Sequence, residues 1–146
     1  MHAALVKIDV AAVDLRTSIR RIEQMVDGGT SAGDGLLWVF NFARRGGRRR
    51  DLRFWRSELL ARASGNAANT NRLTIKEVLA EILPTTRARF HAGEVDQLFQ
   101  IRPNTRIDYD SEMVGTLQGR RNVYSRTVLE AFLDRHWLGR LAGGAK

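Results

Sequence analysis

Residues 36–55 read LLWVFNFARRGGRRRDLRFW. Leu36 to Ala43 is short and rich in aromatic and β-branched side chains, and Trp38, Phe40 and Phe42 alternate onto one face of an extended chain, so a strand is expected. Arg44-Arg-Gly-Gly-Arg-Arg49 follows, with two glycines able to take the positive-φ conformations that a tight reversal needs. Asp51 to Trp55 then resumes the extended pattern. The prediction is a β-hairpin with an arginine-loaded tip. Alternating aromatics on a hairpin are what a half-buried sheet requires, so Trp38, Phe40, Phe42, Phe54 and Trp55 read as core before they read as a platform for stacking bases.

Leu15 to Val26, upstream of the hairpin, carries Leu15, Ile19, Ile22 and Val26 at helical spacing, with Gly28 and Gly29 placed to stop the helix. Only Ile8 to Val13, about one turn, is left for a helix before it. Downstream, Arg56 to Arg62 predicts a short helix capped by a neighbouring polar side chain. Residues 63–72, ASGNAANTNR, are small and polar without apolar period and read as a linker. The chain of 146 residues thus divides into 1–62 and 73–146. The second segment opens with Thr74-Ile-Lys-Glu77, a capping-box pattern, ahead of a helix ending at Pro84. A helix over Gly93 to Ile101 comes next, then a break at Arg102-Pro103-Asn104 and a helix from Thr105 to Leu117. An extended piece at Gly119 to Tyr124 precedes a helix that starts at Ser125 and buries Val128, Leu129, Phe132 and Leu133. The tail LAGGAK is expected to fray.

The order helix, tight turn, helix, Gly-Arg-rich extended segment and closing helix resembles the winged helix-turn-helix of the excisionase and MerR-like DNA-binding families. In the second half the matching residues are Gly93-Glu-Val-Asp-Gln-Leu-Phe99, Asn104-Thr105-Arg106 and the wing Gly119-Arg120-Arg121-Asn122-Val-Tyr124. Ser125-Arg-Thr-Val-Leu-Glu-Ala-Phe-Leu133 closes the unit, so the likeness spans about Phe90 to Leu138. In the first half they are Thr17 to Gly29, the hairpin Leu36 to Trp55, and Arg56 to Arg62. The resemblance implies an α+β, mainly α fold of two tandem winged helix-turn-helix units, each with a short β-hairpin wing. It also implies a small regulator or recombination accessory factor of a mobile element, acting on double-stranded DNA in the cytoplasm at the nucleoid.

Charge points the same way. The net charge is +8, with 21 arginines and three lysines, a bias that a GC-rich coding sequence also produces. Arginine forks suit phosphates and base edges. Residues 1–72 hold 13 basic and 7 acidic side chains, the remainder 11 and 9. Arg44, Arg45, Arg48, Arg49, Arg50, Arg53 and Arg56 lie within 13 positions with Asp51 as the only acid. Such a tip gains affinity through counterion release without sequence-specific geometry; the bland alternative is a solvated loop that keeps an edge strand soluble. Thr17, Ser18, Arg20, Arg21 and Gln24 occupy the polar side of the Leu15 to Val26 helix, where they would read bases and phosphates, or form an ordinary charged face with Arg20 or Arg21 paired to Glu23 or Asp27. Arg102, Asn104, Thr105 and Arg106 at a helix start, and Arg120, Arg121, Asn122 and Tyr124 in the second wing, complete the expected DNA contacts. Asn104 or Thr105 alternatively serves only as a cap.

Other chemistry finds little footing. There is no cysteine, so thiolate nucleophiles and Cys-ligated metals are excluded, and His2, His91 and His136 are scattered. Asp108, Asp110 and Glu112 do not converge on one helix face. No nucleophile, paired-carboxylate or phosphate-loop signature suggests an enzyme, and no cofactor is expected. No apolar run is long enough to cross a bilayer and no signal peptide is evident, so a membrane partner is not expected. Expected partners are duplex DNA, a second copy of the chain and, through the acidic second half, a protein. Two rivals stay open: an interaction module in which only the first half touches DNA, and an RNA-binding protein that uses the arginine hairpin.

Overall fold

The computed structural model describes residues 4–28, 36–43, 50–66, 72–84, 87–109, 113–118 and 121–139. Among these, the chain runs β1 (Leu5–Val6), α1 (Ile8–Asp14), α2 (Ile19–Gly28), β2 (Val39–Asn41), β3 (Leu52–Trp55) and α3 (Arg56–Ala63). After α4 (Ile75–Ile82), it runs β4 (Arg89–His91), α5 (Ala92–Phe99), α6 (Pro103–Asp108), β5 (Thr116–Gln118), β6 (Arg121–Ser125) and α7 (Arg126–His136). The order strand, helix, helix, strand, strand, helix therefore occurs twice, with α4 between the copies. Each copy closes an antiparallel three-stranded sheet in which the last strand is central, β1-β3-β2 and β4-β6-β5. The architecture is α+β and mainly helical.

The correspondence extends to single hydrogen bonds. Arg56 N–H donates to Ala4 O in the first copy, and Arg126 N–H donates to Ala88 O in the second, both at the strand-to-helix junction. α1 ends where Arg16 takes φ 53°, with Thr17 N–H bonded to Ala12 O and Arg16 N–H to Val13 O; α5 ends where Gln100 takes φ 54°, with Ile101 N–H bonded to Asp96 O and Gln100 N–H to Gln97 O. These are two Schellman closures built on non-glycine residues. The interval from Ala4 to Arg16 equals that from Ala88 to Gln100.

Several sequence expectations shift. Leu15 to Val26 is not one helix. Arg16 breaks it, and α2 restarts with Ser18 Oγ accepting from Arg21 N–H at 3.1 Å. The helix before it is Ile8–Asp14, two turns rather than one, and buries Ala11 and Ala12. Pro103 opens α6 instead of breaking it, because its missing N–H is no loss at a first helical position. That helix stops at Asp108, and Thr116 to Gln118, expected in the same helix, forms β5. Gly115 just before β5 is required by packing, since a Cβ there would meet the Tyr124 ring at 2.9 Å. The sheets are three-stranded rather than bare hairpins, because β1 and β4 return to pair with β3 and β6. α3 starts after Trp55 without a side-chain cap. The Thr74–Glu77 capping box is formed, and α4 ends before Pro84.

The first sheet is covered on both faces. Val6, Val39, Leu52 and Phe54 point toward Ala11, Ile22 and Leu59 of their own copy. The alternate residues Leu5, Phe40 and Trp55, with Trp38 and Phe42 flanking β2, join Phe99, Tyr109, Phe132 and Leu133 in a core shared by both copies, to which α4 adds Val78, Leu79 and Ile82. Residues 1–62 thus hold an apolar cluster of their own and share a second one with residues 73–146. The seam is stitched by polar bonds as well: Leu138 N–H to Val39 O at 2.8 Å, Trp137 Nε1–H to Leu37 O at 2.9 Å, and the Tyr109 hydroxyl to Phe42 O. Trp38 stacks on Trp137 with ring centres 4.7 Å apart. Among the described residues, no helix is long and apolar enough to cross a membrane.

Candidate nucleic-acid interface

α2 turns Ile22 into the core at 0% exposure, so Arg20 and Gln24, one helical turn apart, share the opposite, solvent-facing side. Arg21 is exposed beside them, and Thr17 and Ser18 lead into the first turn. No acid sits in that first turn, so no carboxylate there offsets the positive end of the helix dipole or the two guanidinium groups. Among the described residues Arg20 and Arg21 form no ion pair with Glu23 or Asp27. Asp27 is taken instead by Arg50, Nη1 to Oδ1 2.7 Å, which brings the chain just ahead of β3 against the last turn of α2.

Arg44, Arg45, Arg48 and Arg49 lie outside the described residues, as does Arg120. The residues that flank this stretch are described. Phe42 N–H donates to Asp51 O at 2.8 Å, and Asn41 Oδ1 accepts from both Ala43 N–H and Asp51 N–H at 3.0 Å, pinning the two ends together. The entry into β2 is fixed by Glu58 of α3, whose two carboxylate oxygens accept from Leu37 N–H at 2.9 Å and Trp38 N–H at 3.0 Å. Burial pushes the Glu58 carboxyl up, against the lowering effect of those two donors and of Arg62.

The three clustered arginines that are described, Arg50, Arg53 and Arg56, are all engaged within the fold. Besides Arg50, Arg56 reaches Asp14 with two hydrogen bonds of 3.1 and 3.2 Å. Arg53, 2% exposed, donates to Phe99 O at 2.9 Å and Gln100 O at 2.6 Å across the seam and pairs with Asp51. Its charge holds the two copies together and does not reach solvent.

In the second copy the expected contact residues separate. Arg102 and Asn104 are exposed, Thr105 is half-buried and Asn122 is exposed on β6. Arg121 enters as a strand position only. Arg106 and Tyr124, read as contacts in the sequence, face inward. Arg106 Nε bonds Asp96 Oδ1 at 2.7 Å, its Nη1 donates to the Tyr124 hydroxyl at 3.0 Å, and Tyr124 is 1% exposed. The reason is positional, because Arg106 stands where Ile22 stands in the first copy. Burial works against its charge, but bonds to Tyr124 and Asp96 leave it more basic than usual. Arg87 is likewise held by Glu94, and that hydrogen bond draws the Glu94 carboxyl down to about 2.

Trp38, Phe40, Phe42, Phe54 and Trp55 are all buried, so these five do not form an aromatic platform for bases. Lys7 carries no signal in the sequence, being a lone lysine ahead of a helix. It lines a groove with Arg102. No protein-family model, no curated protein and no solved structure matches this chain.

Proposed function

We propose that the chain is a sequence-specific double-stranded DNA-binding protein built from two winged helix-turn-helix units, acting as a transcriptional regulator or a recombination accessory factor. The observation that carries this reading is the outward face of α2. Arg20, Arg21 and Gln24 are exposed and without an ion pair among the described residues, on a helix joined to α1 by a tight positive-φ turn. Arginine is suited to guanine and glutamine to adenine in a major groove. Arg50, the last residue of the arginine-rich stretch, bonds Asp27 of the same helix, and the stretch is assigned the phosphate affinity.

The experiment is selection of bound duplexes from a random pool, followed by affinity against salt for the enriched site. Arg20→Ala or Gln24→Ala is expected to relax preference at particular base pairs by about 1–3 kcal/mol. Removing Arg44, Arg45, Arg48 or Arg49 singly is expected to lower the salt slope by about one each while leaving site preference unchanged. Equal affinity for every duplex would reject the sequence-specific reading, and preference for structured RNA of equal length would replace it.

A second reading has its own support. Ile107, Val114 and Leu117 of the second copy are exposed, at 54, 62 and 67%. That favours a protein-contacting second half, with DNA met by the first half alone. Asn104→Ala, Arg102→Ala and Asn122→Ala variants that all bind DNA like the parent would favour it.

A further inference from the structure

The docking of the two copies creates a groove of about 450 Å³ that neither copy contains alone. One wall is Lys7, the residue ahead of α1. The other is the end of α5 and the turn into α6, with Asp96, Gln97, Gln100 and Arg102. Lys7 and Arg102 are both exposed, and neither forms an ion pair among the described residues. The one carboxylate in the lining, Asp96, is already matched by Arg106 at 2.7 Å. Two uncompensated cations from opposite halves therefore flank one open groove.

Their separation is set by the fold. Arg53 of β3 bonds the carbonyl oxygens of Phe99 and Gln100, which clamps the first sheet to the turn that carries Arg102. Lys7 follows β1, which pairs directly with β3. The repeat itself does not explain the pair, since the positions matching Lys7 and Arg102 in the other copy are His91 and Ser18.

We propose that this groove holds a phosphodiester group of the DNA backbone, with Lys7 as a point charge and Arg102 as a fork of donors. The inference rests on the DNA reading above and extends it, making the seam between the halves a contact that positions both on one duplex. A phosphate suits the lining because ammonium and guanidinium groups give charge-assisted hydrogen bonds to its oxygens, and the exposed Gln97 adds an amide donor, the Gln100 amide being bonded to Gln97 O at 2.8 Å. Phosphate contacts fix register and orientation and carry no sequence information directly.

The test uses the full chain with Lys7→Gln, Arg102→Gln and the double variant, each checked for an unchanged thermal unfolding midpoint. Affinity is measured against salt on the selected duplex and on an unrelated duplex. Each single change is expected to lower the slope of log affinity against log salt by about one and to weaken both duplexes by the same factor, the double variant showing the sum. Unchanged slopes in all three folded variants would overturn the groove assignment, while loss of binding in Arg20→Ala would leave the DNA reading standing. Absence of DNA binding by the parent chain would overturn both. Inorganic phosphate is titrated in parallel. Saturable binding abolished by the double variant, with duplex affinity unaffected, would assign the groove to a free phosphate ligand and likewise overturn the proposal.

Discussion

α2 and α6 hold the same place in the two copies, yet one presents charge to solvent and the other draws it inside. In the first copy the inward position is Ile22 against Ala12, and the arginines stand on the outer face. In the second, Arg106 takes the inward position, Asp96 stands where Ala12 stood, and Tyr124 closes the triad. One backbone plan thus tolerates either an apolar or an ionic interior contact. The choice decides which helix has basic side chains to spare for an external partner.

Breaking that ionic contact should have the largest effect. Arg106→Ala leaves Asp96 without its partner and the Tyr124 hydroxyl without a donor, and is expected to cost about 3–5 kcal/mol in urea unfolding. Copying the first half, Asp96→Ala with Arg106→Ile, should recover that loss or exceed the parent by about 1–4 kcal/mol. A double variant as weak as Arg106→Ala would show that the two copies are not interchangeable there.

The contrast predicts a difference in DNA affinity next. Arg20→Ala is expected to cost about 1–3 kcal/mol on the selected site, and Asn104→Ala, at the matching position of α6, less. Equal losses measured by titration would mean that both helices read bases.

Smaller effects sharpen the likeness of the copies. Arg16 and Gln100 each hold a left-handed conformation that glycine adopts without strain. Arg16→Gly and Gln100→Gly should therefore each raise stability by about 1 kcal/mol, and by similar amounts. A gain in one and a loss in the other would break the correspondence of the turns.

The smallest predicted effect depends on acid. Hydrogen bonding from Arg87 holds the Glu94 carboxyl at about 2 in the folded chain against an ordinary 4.5. The folded form binds fewer protons there than the unfolded one. The contribution is therefore complete above the ordinary value and is lost as pH falls from there toward 2. Glu94→Gln should flatten the acid limb of stability against pH in this window. A limb as steep as the parent's would place the acid sensitivity elsewhere.

Much of this plan is legible in the residues. The pairing of β2 with β3 is legible because Trp38, Phe40 and Phe42 alternate against Phe54 and Trp55, and α7 because Ser125 and the Leu129, Phe132, Leu133 stripe mark its start and buried side. The turn at Arg16 is not, since apolar spacing runs across Leu15 to Val26 without interruption and no glycine marks the left-handed residue. β1 and β4 span two and three residues, too few for any period. At the candidate interface, exposure of Arg20, Arg21 and Gln24 followed from helical spacing around Ile22. The inward turn of Arg106 did not, because its acid lies on another helix and its hydroxyl partner on a strand, contacts that only tertiary folding brings together. Lys7 and Arg102 are 95 positions apart, and only the seam makes them neighbours.

The doubly covered first sheet also has a consequence for synthesis. A ribosome delivers Trp38, Phe40, Phe42 and Trp55 well before Phe99 and Phe132, and at about 5–20 residues per second the wait is on the order of ten seconds. During that interval an aromatic surface destined for the interior stands open on a nascent chain. Translation speed between the two copies, and chaperones that grip exposed aromatic strands, are then expected to govern the yield of correctly folded protein.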